Sequence, residues 1–128
     1  MKEDAPKKEP RLSGYDLEER TAVFGERVVE FALSLKEAAV TRPLISQIVR
    51  SGTSVGANYI EADDAVSRKE FALKIGTCRK EARETKHWLR MIVKAIPEQR
   101  DAAEPLWREA NELHLIFSKI RRATLDRP

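Results

Sequence analysis

The sequence predicts an all-α protein, an antiparallel up-and-down four-helix bundle behind a disordered N-terminal tail. Three observations carry that prediction. Apolar residues recur at spacings of three and four in four separate segments; prolines and a capping box divide those segments; and no stretch alternates apolar with polar residues as a half-buried strand would. A chain of 128 residues is long enough to bury one core without covalent staples. Its single cysteine, Cys78, excludes an intramolecular disulfide and falls on an apolar stripe, as a small buried hydrophobe in a reducing compartment would. There is no apolar run of membrane-spanning length and no charged-then-apolar leader, so a cytoplasmic protein without membrane contact is expected.

Residues 1–15 combine Lys, Glu, two prolines and a glycine with almost nothing apolar, which predicts a flexible tail; the bundle is expected over 16–124. Asp16 is placed to cap the first helix, with Glu18 and Glu19 at the positive end of its dipole. That helix is expected over 17–39, with Phe24, Val28, Phe31 and Leu35 on its buried face. Thr41-Arg42-Pro43 supplies a stop and a restart, because proline disfavours helix at the preceding residue yet fits a first turn.

The second helix is expected over 43–65, with Ile45, Ile48, Gly52, Val55, Tyr59 and Ala62 on one stripe. Its middle is rich in residues that helices tolerate poorly, Gly52 and Gly56 each costing about 1 kcal/mol against alanine. Small side chains there imply a close approach, either to another helix of the same chain or to another subunit. Ser67-Arg68-Lys69-Glu70 is a capping box that starts the third helix. Phe71, Ile75, Cys78, Ala82, Thr85, Leu89, Ile92 and Ile96 then give it a continuous apolar period. Pro97 ends it, 97–104 is expected as a turn or short helical piece, and Pro105 is expected at the first position of the last helix. Leu106, Ala110, Leu113, Phe117 and Ile120 form that helix's buried face, with Trp107 and Ile116 widening it.

The block Arg50-Ser51-Gly52-Thr53-Ser54-Val55-Gly56-Ala57-Asn58-Tyr59-Ile60-Glu61-Ala62, followed by Arg68, Glu70 and Phe71, resembles the signature of the bacterial four helix bundle protein family. That family includes ribosomal-protein-like products of intervening sequences inside large-subunit ribosomal RNA genes. The resemblance extends over about 17–122, with Tyr59 where the family often has isoleucine and Ala62 where it often has glycine. It implies a homopentamer with no established enzymatic activity, and nucleic-acid binding. A related group, the accessory variability proteins of diversity-generating retroelements, forms similar pentamers that bind a reverse transcriptase and RNA. The partners implied are therefore copies of the chain itself, RNA or DNA, and a protein such as a reverse transcriptase; the chain is more similar to the intervening-sequence branch.

Two polar constellations stand out. Arg50, Ser54, Asn58 and Glu61 line one side of the second helix, as a partner-binding strip or as a structural polar network within the bundle or between subunits. Arg79, Arg83, Lys86 and Arg90 form a basic stripe on the third helix, extended by Lys74, Lys80 and Lys94. Between Arg68 and Lys94 nine Lys or Arg stand against three Glu, a local charge of +6 in a chain of net +3. Such a stripe can track a phosphate backbone. It can equally be a solvated face partly neutralised by Glu81 and Glu84, serving a structural or protein-interaction scaffold. No aromatic interleaves with it, which argues against stacking on single-stranded bases.

No catalytic residues, cofactor or metal site are expected. Glu84 and His87 have the Glu-x-x-His spacing of di-iron bundles, but the other His, His114, is preceded at that spacing by Asn111, not by an acid. Cys78 has no activating neighbour in the pattern.

Overall fold

The computed structural model describes residues 16–126, and among these every regular element is helical. The expected tail over 1–15 lies outside the described residues. Four helices, α1 (Leu17–Leu33), α2 (Thr41–Asp63), α3 (Arg68–Ala95) and α4 (Arg100–Leu125), are joined by short connections, the last of them a 3-10 turn over Pro97–Gln99. Consecutive helices pack side by side, and α1 closes the bundle against α4 through a smaller contact.

Each helix begins or ends for a local reason. Asp16 accepts from the amide of Glu19 (3.2 Å), capping α1. Ser67 accepts from the amide of Glu70 (3.0 Å), and Glu70 reaches back to the amide of Val66 (3.3 Å), which starts α3. The first helix ends six residues earlier than expected. Ser34 donates to the carbonyl of Phe31 (2.7 Å), and Thr41 ties down the connection by donating to the carbonyl of Lys36 and accepting from the amide of Ala38 (2.8 Å each). Leu35 stays buried although it lies past the helix end. The second helix begins at Thr41, leaving Pro43 in its first turn.

The last helix begins five residues before Pro105, which therefore lies inside it and removes one backbone hydrogen bond. Burial of Ala103 extends the apolar period of Leu106, Ala110, Leu113 and Phe117 by one step, and that packing holds the extra turn.

The core is the set of stripes read from the periodicity: Phe24, Val28, Ile48, Val55, Ile75, Leu89, Ile92, Leu113 and Phe117 are all buried. Phe71, Ile96, Ile45 and Ile120, at the ends of their stripes, are only half-buried. Tyr59 lies in the core with its ring 6.0 Å from that of Phe117.

The small residues of α2 serve contacts inside the chain. A Cβ on Gly52 would stand 2.8 Å from Val28 Cγ1, and one on Gly56 would stand 3.2 Å from Thr21 Oγ1. Both glycines therefore face α1. On the α3 side of the same helix, the hydroxyls of Ser51 and Thr85 pair at 2.9 Å and Cys78 Sγ lies 3.5 Å from the carbonyl of Val55.

This packing fixes the sign of two alanine substitutions. Gly52→Ala is expected to cost about 1–3 kcal/mol, because buried Val28 has no room to retreat. Gly25→Ala, whose Cβ would meet nothing closer than Thr53 Cα at 3.6 Å, is expected to gain up to about 1 kcal/mol of helix propensity. Urea titration of the two variants checks the pair; destabilisation by both would contradict the α1–α2 packing.

Candidate nucleic-acid interface

Helices α3 and α4 run antiparallel in one register along their whole contact. Arg121 lies across Gly76, its Nε 3.1 Å from where a Cβ would stand. Arg79 donates to Ser118 (3.0 Å) and Lys86 donates to Asn111 (2.8 Å). The same register sets Arg83 opposite His114 and Arg90 opposite Trp107. These cations follow the helix at steps of three and four residues, so the seam from Arg79 to Arg90 is roughly 16 Å long.

Arg79 and Lys86 have neutral partners, and among the described residues no ion pair engages any of the four cations. The three glutamates of α3 are all engaged elsewhere. Glu70 belongs to the N-terminal cap, and Glu81 and Glu84 both turn to Arg50 on α2, Glu81 at 3.1 Å. Glu84 also accepts from Trp88 Nε1 (2.9 Å). The expectation that Glu81 and Glu84 partly neutralise the basic stripe is thus corrected: they compensate a cation of α2 on the other side of α3.

His114 registers the concentration of charge. Both of its ring nitrogens are shielded from solvent and meet no hydrogen-bond partner among the described residues. Burial holds its pKa below the ordinary histidine value, and the positive charges of Lys86, Arg79 and Arg83 push it in the same direction. Burial also lowers the pKa of Lys86, with Arg83 adding to the effect.

The remaining expected site residues separate from this seam. Lys74 pairs with Glu61 of α2 at 2.6 Å, and that hydrogen bond raises its pKa. It belongs to the α2–α3 side, away from Arg79, Arg83, Lys86 and Arg90. Arg50 bonds to Gln47 (2.9 Å) as well as to the two glutamates of α3. Ser54 and Asn58 turn back onto their own helix, donating to the carbonyls of Arg50 (2.7 Å) and Ser54 (2.9 Å). The strip from Arg50 to Glu61 therefore consists of two ends bridged to α3 and a middle bonded to itself.

An aromatic that the sequence reading placed in the core lies on this seam. Trp107 is 42% exposed, and Lys86 Nζ lies over its ring, 5.2 Å from the centroid. Reading α3 alone missed it because it comes from α4; only the register between the helices brings it beside Arg90.

The residues weighed for metal and thiol chemistry stand apart among the described residues. No three His, Cys, Asp or Glu side chains gather to hold a metal ion. His87 is exposed and packs edge-on against Trp88, while Glu84 faces Arg50. Burial pushes the Cys78 thiol up to about 12, so no thiolate is available at neutral pH. Among the described residues no helix is long and apolar enough to cross a membrane.

The family model described as "23S rRNA-intervening sequence protein" matches residues 16–119. A solved structure described as a protein of unknown function from the S23 ribosomal protein family, from Bacteroides thetaiotaomicron, superposes with a TM-score of 0.73 at 30% sequence identity. The match covers 82% of this chain and 97% of that one. No curated protein matches.

The environment of His114 gives stability a pH dependence. Its folded pKa lies below the unfolded value of about 6.5, so between the two the unfolded chain binds more protons and stability falls as pH drops. Urea titrations at pH 7.5 and 5.5 are expected to show this loss, and His114→Gln is expected to reduce it. An undiminished loss in that variant would assign the effect to other groups.

Proposed function

The chain belongs to the 23S rRNA-intervening sequence protein family, and from that premise we propose that it is a non-catalytic oligomer that binds nucleic acid along the α3–α4 seam. The observation that supports this reading is the division of charge across α3. On the α2 side, Arg50 and Lys74 face carboxylates at ion-pair distance. On the α4 side, Arg79 and Lys86 are held by a serine hydroxyl and an asparagine carbonyl, which fix the cations in place without cancelling them. A row of positioned, uncompensated cations suits a phosphate backbone, whose counterions it would release on binding.

The competing reading is a protein-interaction scaffold, favoured by the large apolar side chains left to solvent. Ile60, Val66 and Leu73 are exposed on and around the α2–α3 turn. An assembly of identical subunits would cover such residues, and a pentamer would repeat the basic seam around a symmetry axis.

Binding to a labelled RNA or DNA, followed by anisotropy at several salt concentrations, separates the two. The double variant Arg79→Gln/Arg83→Gln is expected to bind more weakly across sequences. Its log K against log salt should have a slope shallower by up to about 2. Lys74→Gln, which removes a cation already paired with Glu61, is expected to leave both quantities unchanged. A folded double variant that binds like the wild type, or wild-type binding without salt dependence, would favour the scaffold. Light scattering on the same samples is expected to give a symmetric oligomer; a monomer at micromolar concentration would remove the assembly from the account.

A further inference from the structure

The seam opens at one end into a groove of about 860 Å³ between the last turns of α3 and the first turns of α4. Arg90, Met91, Lys94, Pro97, Arg100 and Trp107 line it. Its volume falls within the range of sites that hold a nucleotide-sized molecule.

Three features of the groove point to the same occupant. Arg90, Lys94 and Arg100 are exposed, and no ion pair engages them among the described residues. The acidic residue on the wall, Glu104, is paired with Arg108 at 2.9 Å, so the unpaired charges of the groove are all positive. Trp107 offers an exposed indole surface, and Lys86 Nζ over the ring holds it against the seam.

We propose that this groove is a stacking site for an unpaired nucleobase on Trp107, with Arg90, Lys94 and Arg100 holding the adjacent phosphates. The inference rests on the reading of the seam as a nucleic-acid interface and sharpens it: the ligand is single-stranded where it leaves the seam. A base has a π-face whatever its identity, so the site accepts any sequence. A paired base in a continuous duplex has no free face to offer. The apolar wall from Met91 and Pro97 suits the edge of a base, and the cations within reach suit its 5′ or 3′ phosphate.

The test uses the full chain and short oligonucleotides: single-stranded RNA, single-stranded DNA and a blunt RNA duplex. Trp88 and Trp107 are the two tryptophans, so in a Trp88→Phe background the fluorescence reports on Trp107 alone. Single strands are expected to quench that fluorescence and the blunt duplex to leave it unchanged. Trp107→Leu is expected to weaken single-strand binding about tenfold, and Trp107→Phe, which keeps a ring, is expected to restore much of the loss. A stronger effect with RNA than with DNA, or the reverse, would identify which single strand the site takes.

Equal quenching by duplex and single strand, or a Trp107→Leu variant that binds single strands like the wild type, overturns the stacking site. In that outcome a loss of affinity in Arg79→Gln/Arg83→Gln would leave the seam reading standing. If no oligonucleotide binds the wild type at low salt, both fall. Quenching by an acidic peptide with none by oligonucleotides would assign the groove to a protein ligand and overturn the proposal.

Discussion

The antiparallel register of α3 against α4 is the constraint on which the surface chemistry of this molecule depends. It is set by the core, where Ile75, Cys78, Ala82, Leu89 and Ile92 from one helix share the bundle interior with Ala103, Leu106, Ala110, Leu113 and Phe117 from the other. A shift by one turn would break the match of large and small residues along those stripes. The solvent-side pairs then follow without further specification. Arg79 meets Ser118, Lys86 meets Asn111, Arg83 faces His114, and Arg90 faces Trp107.

The other seams of the bundle do different work, and their charges close on themselves. Between α1 and α2 the approach is steric, with Gly52 against Val28 and Gly56 against Thr21. Between α2 and α3 it is polar, through the buried Ser51–Thr85 pair and the flanking bridges of Arg50 and Lys74. Between α1 and α4, Arg20 donates to both oxygens of Glu109, at 2.7 and 2.9 Å, and to Glu112 at 2.6 Å; its hydrogen bond to Glu109 raises its pKa. A bidentate, partly buried pair of this kind gives geometric specificity to the least extensive helix contact. The α3–α4 seam is the one of the four described here whose cations are held without carboxylates, and that difference is what makes it a candidate interface.

Much of the fold was legible in the chain because its determinants are local. The Ser67–Glu70 capping box and the three-four stripes report on residues within one helix, and the helices follow them. The misplaced boundaries come from contacts that the apolar period does not report: Thr41 anchors the connection after α1 by reaching back to Lys36 and Ala38, and burial of Ala103 carries α4 backward past Pro105. The candidate site was legible in half. The cations of α3 lie on one stripe and can be counted, but whether Glu81 and Glu84 neutralise them depends on Arg50 of α2. The role of Trp107 depends likewise on a register that no single helix contains. Lys74 shares the sign of the stripe and not its face, because Glu61 claims it from across the α2–α3 contact.

The central claim is that nucleic acid lies along the α3–α4 seam. Ultraviolet cross-linking of the natively purified protein to the nucleic acid it carries, with the attached peptides mapped by mass spectrometry, tests this most directly. The account predicts cross-links within Arg79–Arg90 of α3 and Trp107–Ser118 of α4. Cross-links confined to the Arg50–Glu61 side, or a native protein that carries no nucleic acid and forms none with added RNA or DNA, would contradict it.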